Sequence, residues 1–361
     1  MSKHKIDLFL IKYLFKLVQR IHRRENVFDL NDIHKILIIN TTAIGDTLMS
    51  TPAIRAIRRS YPDSRIIAMV SPAAKEVLSA NPHIDGFIDH RGKVDIAYLL
   101  NLPHLLRKMS LEQFDVSIVL HGNDPDIAPL SYLSGAKIRT GWSTSKLSFL
   151  FTHPVETKVD GVHEIDVRLN NLKALGVEPD GRHMELFITK GEEDYVGHVL
   201  KRMLLDSKKP IAIHPFSSKK LKAWSVEEAA KLARLFTRKL GQQVVIIGGR
   251  REAGLADQLQ KRAGNGVFNF AGVFKLRQSA ALLDRCQMLV TTDSGPMHIA
   301  QALNVPTIVL IGPTIAERTG PINKNSLIIQ ARSGQFCKDP MKSIEADFVF
   351  ERAERFLQRI P

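Results

Sequence analysis

Apolar residues follow two different periods between residues 35 and 59. The run KILIIN is short, β-branched and almost wholly apolar, as expected of a parallel strand covered on both faces. The apolar residues that follow recur at helical spacing: Leu48, Ala53, Ile54 and Ile57. The stretch is therefore predicted to be a strand, a turn of small residues and a helix. In open α/β sheets such a turn lies at the edge where ligands bind.

The same alternation continues along the chain in two series. In the first, from residue 35 to about 153, the predicted strands after KILIIN are RIIAMVS, GFIDH and FDVSIVLH. In the second, which begins at Lys209, they are KPIAIHPF, QQVVIIGG, GVFNFAG, MLVTTD and PTIVLIG. Helical segments separate these strands, which indicates doubly wound parallel sheets. Because 361 residues are too many for one ordinary core, we predict an α/β fold with two Rossmann-like domains.

This pattern divides the chain into four parts. Residues 1–30 form a basic amphipathic extension, 31–185 the first domain, 186–340 the second domain, and 341–361 a last amphipathic helix. The segment 163–206 is the predicted region of connection between the two domains.

The first 24 residues carry seven Lys or Arg and one Asp. Their apolar residues form one helical stripe: Leu10, Ile11, Leu14, Val18 and Ile21. Such a helix suits the surface of an anionic bilayer, and the alternative is that it packs on the protein's own surface. Charges interrupt it too often for a transmembrane span, and it lacks the long apolar core and cleavage site of a signal peptide.

Composition narrows the class of protein. The hydrophobic content of 44% and charged content of 24% are typical of a soluble globular protein. Two cysteines, Cys286 and Cys337, form neither zinc spacing nor a disulfide framework, which favours the cytoplasm. The net charge of +14 suits nucleic acid, an anionic membrane or an anionic substrate. Nucleic acid is the least supported, because the chain has no RNA-binding aromatic motif or helix-turn-helix signal.

Asp46 lies in the turn after the first strand, close to the predicted ligand-binding edge of the sheet. The competing interpretation is that Asp46, or Thr47 beside it, only caps the following helix.

The segment MLVTTDSGPMHIAQAL repeats this arrangement in the second series. A predicted strand ends at Asp293, Ser294 and Gly295, and a helix begins with His298 in its first turn. Small residues and the amides of a helix start suit a diphosphate. Alternatively, Asp293 or Ser294 caps the helix and His298 is merely exposed. The chain has no G-x-G-x-x-G after a strand and no P-loop motif, which argues against an ordinary dinucleotide site or a P-loop nucleotidase.

The loop HPFSSKKLKAWS follows the first strand of the second series. Ser217 and Ser218 can donate hydrogen bonds to phosphate oxygens. Three cations lie close by: Lys219, Lys220 and Lys222. For Lys219 and Lys220 a solvated loop is the favoured interpretation, and Trp224 fits simple packing.

Together, KILIINTTAIGDTLMSTPAIRAIRRSYPDSRI, HPFSSKKLKAWS and TTDSGPMHIAQALNVPTIVLIGPT resemble the bacterial heptosyltransferases of lipopolysaccharide core assembly, glycosyltransferase family 9. The resemblance covers nearly everything from Lys35 to the end. It implies a GT-B architecture, in which an acceptor domain and a nucleotide-sugar domain face each other across a cleft and the last helix returns to the first domain. It also implies inverting transfer of heptose from ADP-heptose to a lipid-linked inner-core acceptor, with no metal and no cofactor.

The resemblance assigns roles to individual residues. It makes Asp46 the general base and gives Lys222, after the hydroxyl pair Ser217 and Ser218, the contact with the donor phosphates. Asp293 matches the Asp of the D-[ST]-G-x-x-H element. The residues that follow it would line the diphosphate: Ser294, Gly295, Pro296, Met297 and His298. Glu252, in GGRREAG, is a further candidate for binding the ribose hydroxyls.

We therefore expect a cytoplasmic enzyme, peripheral on the inner face of the inner membrane, whose partners are ADP-heptose, the lipopolysaccharide core and the membrane surface, and not nucleic acid. Two alternatives stay open: a family relative that transfers a different sugar, and a catalytically silent, membrane-associated nucleotide-sugar binder. The first 30 residues depart from many core heptosyltransferases, which begin almost at the first strand. This departure leaves open whether the chain is one of the main enzymes or a divergent relative.

Overall fold

The computed structural model separates the chain into two compact units, with the boundary between Arg182 and His183. The sequence pattern places this boundary at residue 185. The structure describes residues 32–90, 96–121, 127–156, 160–203, 205, 208–314, 316–331 and 339–359; in the helix that starts at residue 96, side chains are described from residue 100. The predicted amphipathic extension 1–30 lies outside these residues. None of the described helices has the length and apolar content that crossing a membrane requires.

Six parallel strands form the sheet of the first unit, in the order β3-β2-β1-β4-β5-β6. They are Lys35–Asn40 (β1), Arg65–Val70 (β2), Gly86–Asp89 (β3), Val116–Val119 (β4), Ile138–Trp142 (β5) and His153–Val155 (β6). Strand β1 is central and buried from Ile36 onward, because helices cover both faces of a parallel sheet. The strand order reverses between β1 and β4, and ligands bind at such a switch point in doubly wound sheets.

The helices of the first unit follow the strands. They are Ile44–Leu48 (α1), Thr51–Ser60 (α2), Pro72–Leu78 (α3), Ile96–Glu112 (α4), Ile127–Leu133 (α5) and Glu164–Asn170 (α6). The predicted apolar stripe of α2, including Ile54 and Ile57, is fully buried. Helix α4 contributes Leu105 and Met109 to a separate apolar cluster, which also contains Leu37 of β1.

The second unit repeats the plan, with six parallel strands in the order β12-β11-β10-β7-β8-β9. They are Ile211–His214 (β7), Val244–Ile246 (β8), Val267–Asn269 (β9), Met288–Thr292 (β10), Thr307–Ile311 (β11) and Ser326–Gln330 (β12). The helices are Lys190–Arg202 (α7), Val226–Leu240 (α8), Ala253–Ala263 (α9), Leu276–Asp284 (α10), Gly295–Ala302 (α11), Ala316–Thr319 (α12) and Ala346–Leu357 (α13). The prediction of two Rossmann-like sheets is thus confirmed.

The apolar pattern of the sequence did not predict three of the observed strands: β5, β6 and β12. Strand β5, IRTGW, and strand β12, SLIIQ, mix polar and apolar residues, and β12 lies at the edge of its sheet. Strand β6 is only three residues long and largely exposed at the other sheet's edge. Such strands lack the continuous apolar run that identifies a buried parallel strand, so periodicity alone does not detect them.

The last helix, α13, packs within the second unit. Phe350 lies 5.8 Å from Phe236 of α8, measured between ring centroids, and both rings belong to the main core of this unit. Lys231 of α8 forms an ion pair with Asp347, and the Trp224 indole N–H donates to the Ile344 carbonyl at 2.9 Å just before the helix. The apolar stripe of α13 is therefore buried on α8, within the second unit.

Two phenylalanines on α13 allow this packing to be tested. Phe350 is 5% exposed, whereas Phe348 is 44% exposed. We expect Phe350→Ala to lower the free energy of unfolding of the second unit by about 3–5 kcal/mol, because it leaves a cavity against Phe236. Phe348→Ala should cost less than about 1 kcal/mol. Urea unfolding of both variants measures the difference, and equal losses would contradict this placement of the helix.

Candidate active site

Asp46 lies in the first turn of α1, directly beyond the carboxyl end of β1. The N-cap of α1 is Ala43, and no side chain caps it. The next helix, α2, has Ser50 at its N-cap, again without a side-chain capping bond. The interpretation that Asp46 or Thr47 serves as a helix cap is therefore wrong. The Asp46 side chain keeps 35% of its surface exposed, so its carboxylate is accessible to a ligand.

The Asp46 carboxylate is held by a fully buried arginine. Arg168 of α6 donates from Nη2 to Asp46 Oδ1 at 3.1 Å. Its Nη1 donates to Glu164 Oε2 at 2.7 Å, and its Nε donates to Ser50 Oγ at 3.0 Å. The Arg168 side chain has no exposed surface, and a buried cation is tolerated only when it is paired and hydrogen-bonded. Arg168 thus fixes Oδ1 of the Asp46 carboxylate.

Ser50 extends this contact to the end of β1. Its Oγ accepts hydrogen bonds from Arg168 and from Asn40 Nδ2 at 2.8 Å, and it donates to the Asp46 carbonyl at 3.1 Å. One donor and two acceptor positions satisfy the hydroxyl completely. Thr42 Oγ1 donates to Asn40 Oδ1 at 2.6 Å. The sequence pattern predicts only a connecting segment at HEIDVRLNN and does not indicate this network. The available signal is the Arg in an otherwise apolar helical stripe.

The arginines of α2 have structural partners. Arg55 and Arg59 both pair with Asp180, at 3.0 and 2.6 Å, and Arg58 pairs with Asp85. Burial acts to raise the pKa of Asp180, but the hydrogen bonds from Arg59 and Arg55 outweigh it and hold that pKa below its usual value. The basic run RAIRR therefore ties the helix to its surroundings.

A small polar cavity opens at the carboxyl end of β3. Its volume is about 240 Å³. Its lining contains five polar side chains, four of which can bind an anion or a hydroxyl group, while the fifth is a carboxylate: His90, Asn101, His104, Lys108 and Asp89. Because β3, β2 and β1 are neighbouring parallel strands, this cavity and the Asp46 turn lie at the same edge of the sheet.

In the second unit, Lys222 and Asp293 form an ion pair at the carboxyl edge of the sheet. Lys222 Nζ lies 2.7 Å from Asp293 Oδ2, which also accepts a hydrogen bond from Thr314 Oγ1 at 2.8 Å. Lys222 ends a short 3-10 turn after β7, and Asp293 follows β10, the neighbouring strand. The pair is mostly buried, with 17% and 9% of the side chains exposed. Parallel pairing thus brings together two residues that are far apart in sequence.

His214, the last residue of β7, links two further candidates. Its Nδ1 lies 3.3 Å from Ser294 Oγ and 3.4 Å from Thr291 Oγ1, and its Nε2 lies 3.6 Å from Glu252 Oε2. Glu252 also accepts from the Gly249 N–H at 2.7 Å. Burial acts to raise the pKa of Glu252, but the contacts with His214 and Gly249 outweigh it and keep that pKa below its usual value. Sequence analysis did not assign His214.

Fewer backbone amides are available to an anion at the start of α11 than its sequence indicates. Pro296 has no N–H, and the Met297 N–H already donates to the Ser294 carbonyl at 3.1 Å. The amides of Ser294 and Gly295 are therefore the ones that can meet a phosphate. The Met297 side chain is fully buried against Val309.

The remaining candidates differ in exposure. The His298 side chain is buried. Ser217 is half-buried and accepts a hydrogen bond from the Lys219 N–H, while Ser218 is exposed. Trp224 is buried and bonded to Ile344, so it serves packing. Within the described ranges, no group of three or more His, Cys, Asp or Glu is arranged to hold a metal ion.

Comparison with known proteins identifies the family. The model of glycosyltransferase family 9 (heptosyltransferase) matches residues 103–346, which include Arg168, Lys222 and Asp293. Lipopolysaccharide heptosyltransferase 2 of Escherichia coli (strain K12) is 27% identical over 320 residues, which cover 83% of this chain and 89% of that protein.

Solved structures show the same fold. A glycosyl transferase family 9 protein from Veillonella parvula DSM 2008 has a TM-score of 0.82 at 24% identity, covering 90% of this chain and 97% of that one. Escherichia coli heptosyltransferase WaaC with ADP-2-deoxy-2-fluoro heptose has a TM-score of 0.70 at 19% identity, covering 89% and 99%. With a family model over more than half of its length and a Rossmann-like sheet in each unit, this chain belongs to glycosyltransferase family 9, the heptosyltransferases, and is a glycosyltransferase.

Proposed function

We propose that this glycosyltransferase moves heptose from ADP-heptose to a lipid-linked lipopolysaccharide inner core, on the cytoplasmic face of the inner membrane. The observation that carries the proposal is the Asp46 carboxylate, held on one oxygen by the buried Arg168 beyond the central strand β1. The printed names of the relatives support the sugar and the acceptor: one is a lipopolysaccharide heptosyltransferase, and another was solved with a fluorinated ADP-heptose.

In the proposed reaction, Asp46 is the general base. Its Oδ2 accepts the proton of the acceptor hydroxyl while Arg168 keeps Oδ1 fixed. The acceptor oxygen attacks the anomeric carbon of heptose from the side opposite the diphosphate, the bond from that carbon to the phosphate oxygen breaks, and ADP leaves. The configuration of the anomeric carbon inverts, and the proton remains on Asp46 until it is released to solvent.

The second unit would stabilise the departing ADP. Negative charge develops on the diphosphate as the glycosidic bond breaks, and positioned cations and amides lower the energy of that charge. Lys222 supplies the cation, and the amides of Ser294 and Gly295 supply hydrogen-bond donors. Asp293, which also accepts a hydrogen bond from Thr314, orients the Lys222 ammonium before the donor binds. Glu252, ionised and held by His214 and Gly249, would accept hydrogen bonds from the ribose hydroxyls.

The lipid-linked acceptor would bind to the first unit. In the cavity at the end of β3, His90, His104 and Lys108 suit the phosphates of an inner-core acceptor, and Asp89 can accept a hydrogen bond from a sugar hydroxyl.

A donor screen tests the function directly. Purified protein is given ADP-heptose or UDP- and GDP-sugars with deacylated core acceptors, and nucleotide release and product mass are followed. Release of ADP with one added heptose is the expected result. Transfer from another nucleotide sugar would overturn the proposed donor, and donor binding without any transfer would favour the silent nucleotide-sugar binder.

Asp46→Asn should abolish turnover in a protein that still folds and binds the donor normally. An amide cannot accept the proton, so we expect kcat to fall by about 10²–10⁴-fold. Calorimetric titration with ADP should match the wild type, because Asp46 lies in the other unit from the proposed donor site. The thermal unfolding temperature should fall, because the buried Arg168 keeps only Glu164 as a charged partner. Asp63→Asn, an exposed residue of the same unit, is the control. Near-normal kcat in Asp46→Asn would rule out the general-base role.

Lys222→Met should weaken ADP binding by about 10- to 100-fold, because one charge-assisted contact is lost. The matched control is Lys220→Met, an exposed lysine in the same turn, which should bind ADP normally. Since Lys222→Met also leaves Asp293 with an unpaired charge, the double variant Lys222→Met/Asp293→Asn is measured as well. If ADP affinity returns to the wild-type value in the double variant, Lys222 does not bind the diphosphate.

Glu252→Ala should remove the preference of the protein for ADP over 2′-deoxy-ADP. We expect the wild type to bind ADP about tenfold more tightly than 2′-deoxy-ADP, because the carboxylate loses a charge-assisted hydrogen bond with the deoxy compound. In Glu252→Ala the two affinities should become nearly equal. A preference for ADP that survives the substitution would assign the ribose to another residue.

A further inference from the structure

The outward face of helix α4 combines exposed leucines with basic side chains, and the proposed reaction makes no use of the leucines. Leu100 and Leu111 are 77% and 73% exposed, more than any other large apolar side chain in the described ranges. They lie eleven residues apart, which is about three helical turns, so they share one face at a separation of about 16 Å. On the opposite face, Leu105 and Met109 are buried in the core. Helix α4 therefore packs on the core through one face, and its outer leucines lie outside the core.

Basic residues surround these leucines. His104, Arg107 and Lys108 are all exposed and lie on the turns between Leu100 and Leu111. The acidic residue of the described part of this helix, Glu112, faces Lys35 and Arg65, at 3.8 and 3.6 Å. Apolar residues flanked by cations on one face are the pattern of helices that lie in the surface of an anionic bilayer. Each Lys or Arg near such a surface adds about 1 kcal/mol of attraction.

The position of α4 in the fold suits the same partner. The helix follows β3 and returns the chain to the parallel strand β4, so its first turns lie at the carboxyl edge of the sheet. The Asp46 turn and the cavity lined by His104 and Lys108 lie at that edge too. A bilayer in contact with α4 would bring a lipid-linked substrate to the edge of the sheet that carries the proposed base.

We propose that the α4 outer face, formed by Leu100, Arg107 and Leu111, docks on the surface of an anionic lipid bilayer. The leucines enter the boundary between headgroups and acyl chains, and the Arg107 guanidinium contacts lipid phosphates. His104 and Lys108 line the adjacent cavity, which is left for the acceptor. This inference rests on the proposed function only in taking the acceptor to be lipid-linked.

Co-sedimentation with vesicles tests the surface. The full-length protein is mixed with vesicles of phosphatidylcholine alone or with added phosphatidylglycerol, and the bound fraction gives a partition coefficient. Wild type should bind the anionic vesicles, and salt should weaken the binding. We expect Leu100→Ser/Leu111→Ser to lower the partition coefficient by about tenfold through lost apolar burial. Arg107→Glu should lower it by about tenfold through charge reversal.

Matched controls lie on the second unit. Leu255→Ser/Val273→Ser removes two exposed apolar side chains, and Arg262→Glu reverses an exposed charge on α9. Both controls should bind vesicles like the wild type. The proposal is overturned if the wild type does not bind anionic vesicles, or if the α4 variants bind as well as the controls, which would assign membrane contact to another part of the chain. It is also overturned if the leucine variant instead dissolves a dimer, because the face would then bind a second copy.

The two proposals can fail independently. With a soluble, deacylated acceptor, the leucine and Arg107 variants should turn over at the wild-type rate. With the acceptor embedded in vesicles, their rate should fall in proportion to binding. Absence of any heptose transfer would reject the proposed function and leave the vesicle result to decide the docking surface by itself.

Discussion

The buried guanidinium of Arg168 is the interaction around which the first unit is built. It has no exposed surface, and a cation that far from water would be strongly destabilising without partners. Glu164 and Asp46 supply opposite charge, and Ser50 supplies a hydroxyl oxygen. Helix α6 can therefore occupy its place only when α1 and the start of α2 are in theirs. The same requirement that satisfies the charge also sets the direction of the proposed catalytic carboxylate.

The second unit also contains a charged pair at its site, but its cation is a lysine ammonium rather than an arginine guanidinium. Its charged pair, Lys222 and Asp293, lies at the ends of segments that follow two neighbouring parallel strands. Because the pair retains some exposure, the Lys222 ammonium can exchange one partner for another at little cost in desolvation. A fully buried Arg suits a fixed framework, whereas a partly exposed Lys suits a site that must bind and release an anion.

Net charge turned out to be a poor guide to function in this protein. The arginines of α2 form a conspicuous basic run, yet Arg55 and Arg59 share Asp180, and Arg58 pairs with Asp85. These cations hold the fold together. On α4, by contrast, exposed basic residues stand beside exposed leucines, and the proposed docking surface rests on that combination.

The sequence by itself determined the class of fold, the two sheets and most of their strands, because a buried parallel strand needs a continuous apolar run and a covering helix needs an apolar stripe. It also indicated Asp46, Lys222 and Asp293, since the turns that follow such strands must lie at the ligand-binding edge. Short edge strands such as β6 carry no such apolar run, and only their pairing with a neighbouring strand in the structure identifies them as strands. Only the tertiary structure decided that α13 belongs to the second unit, that Arg168 holds Asp46, and that His214 connects Ser294 with Glu252. Those contacts join residues distant in sequence, and no local periodicity records which distant partner a buried polar group will find.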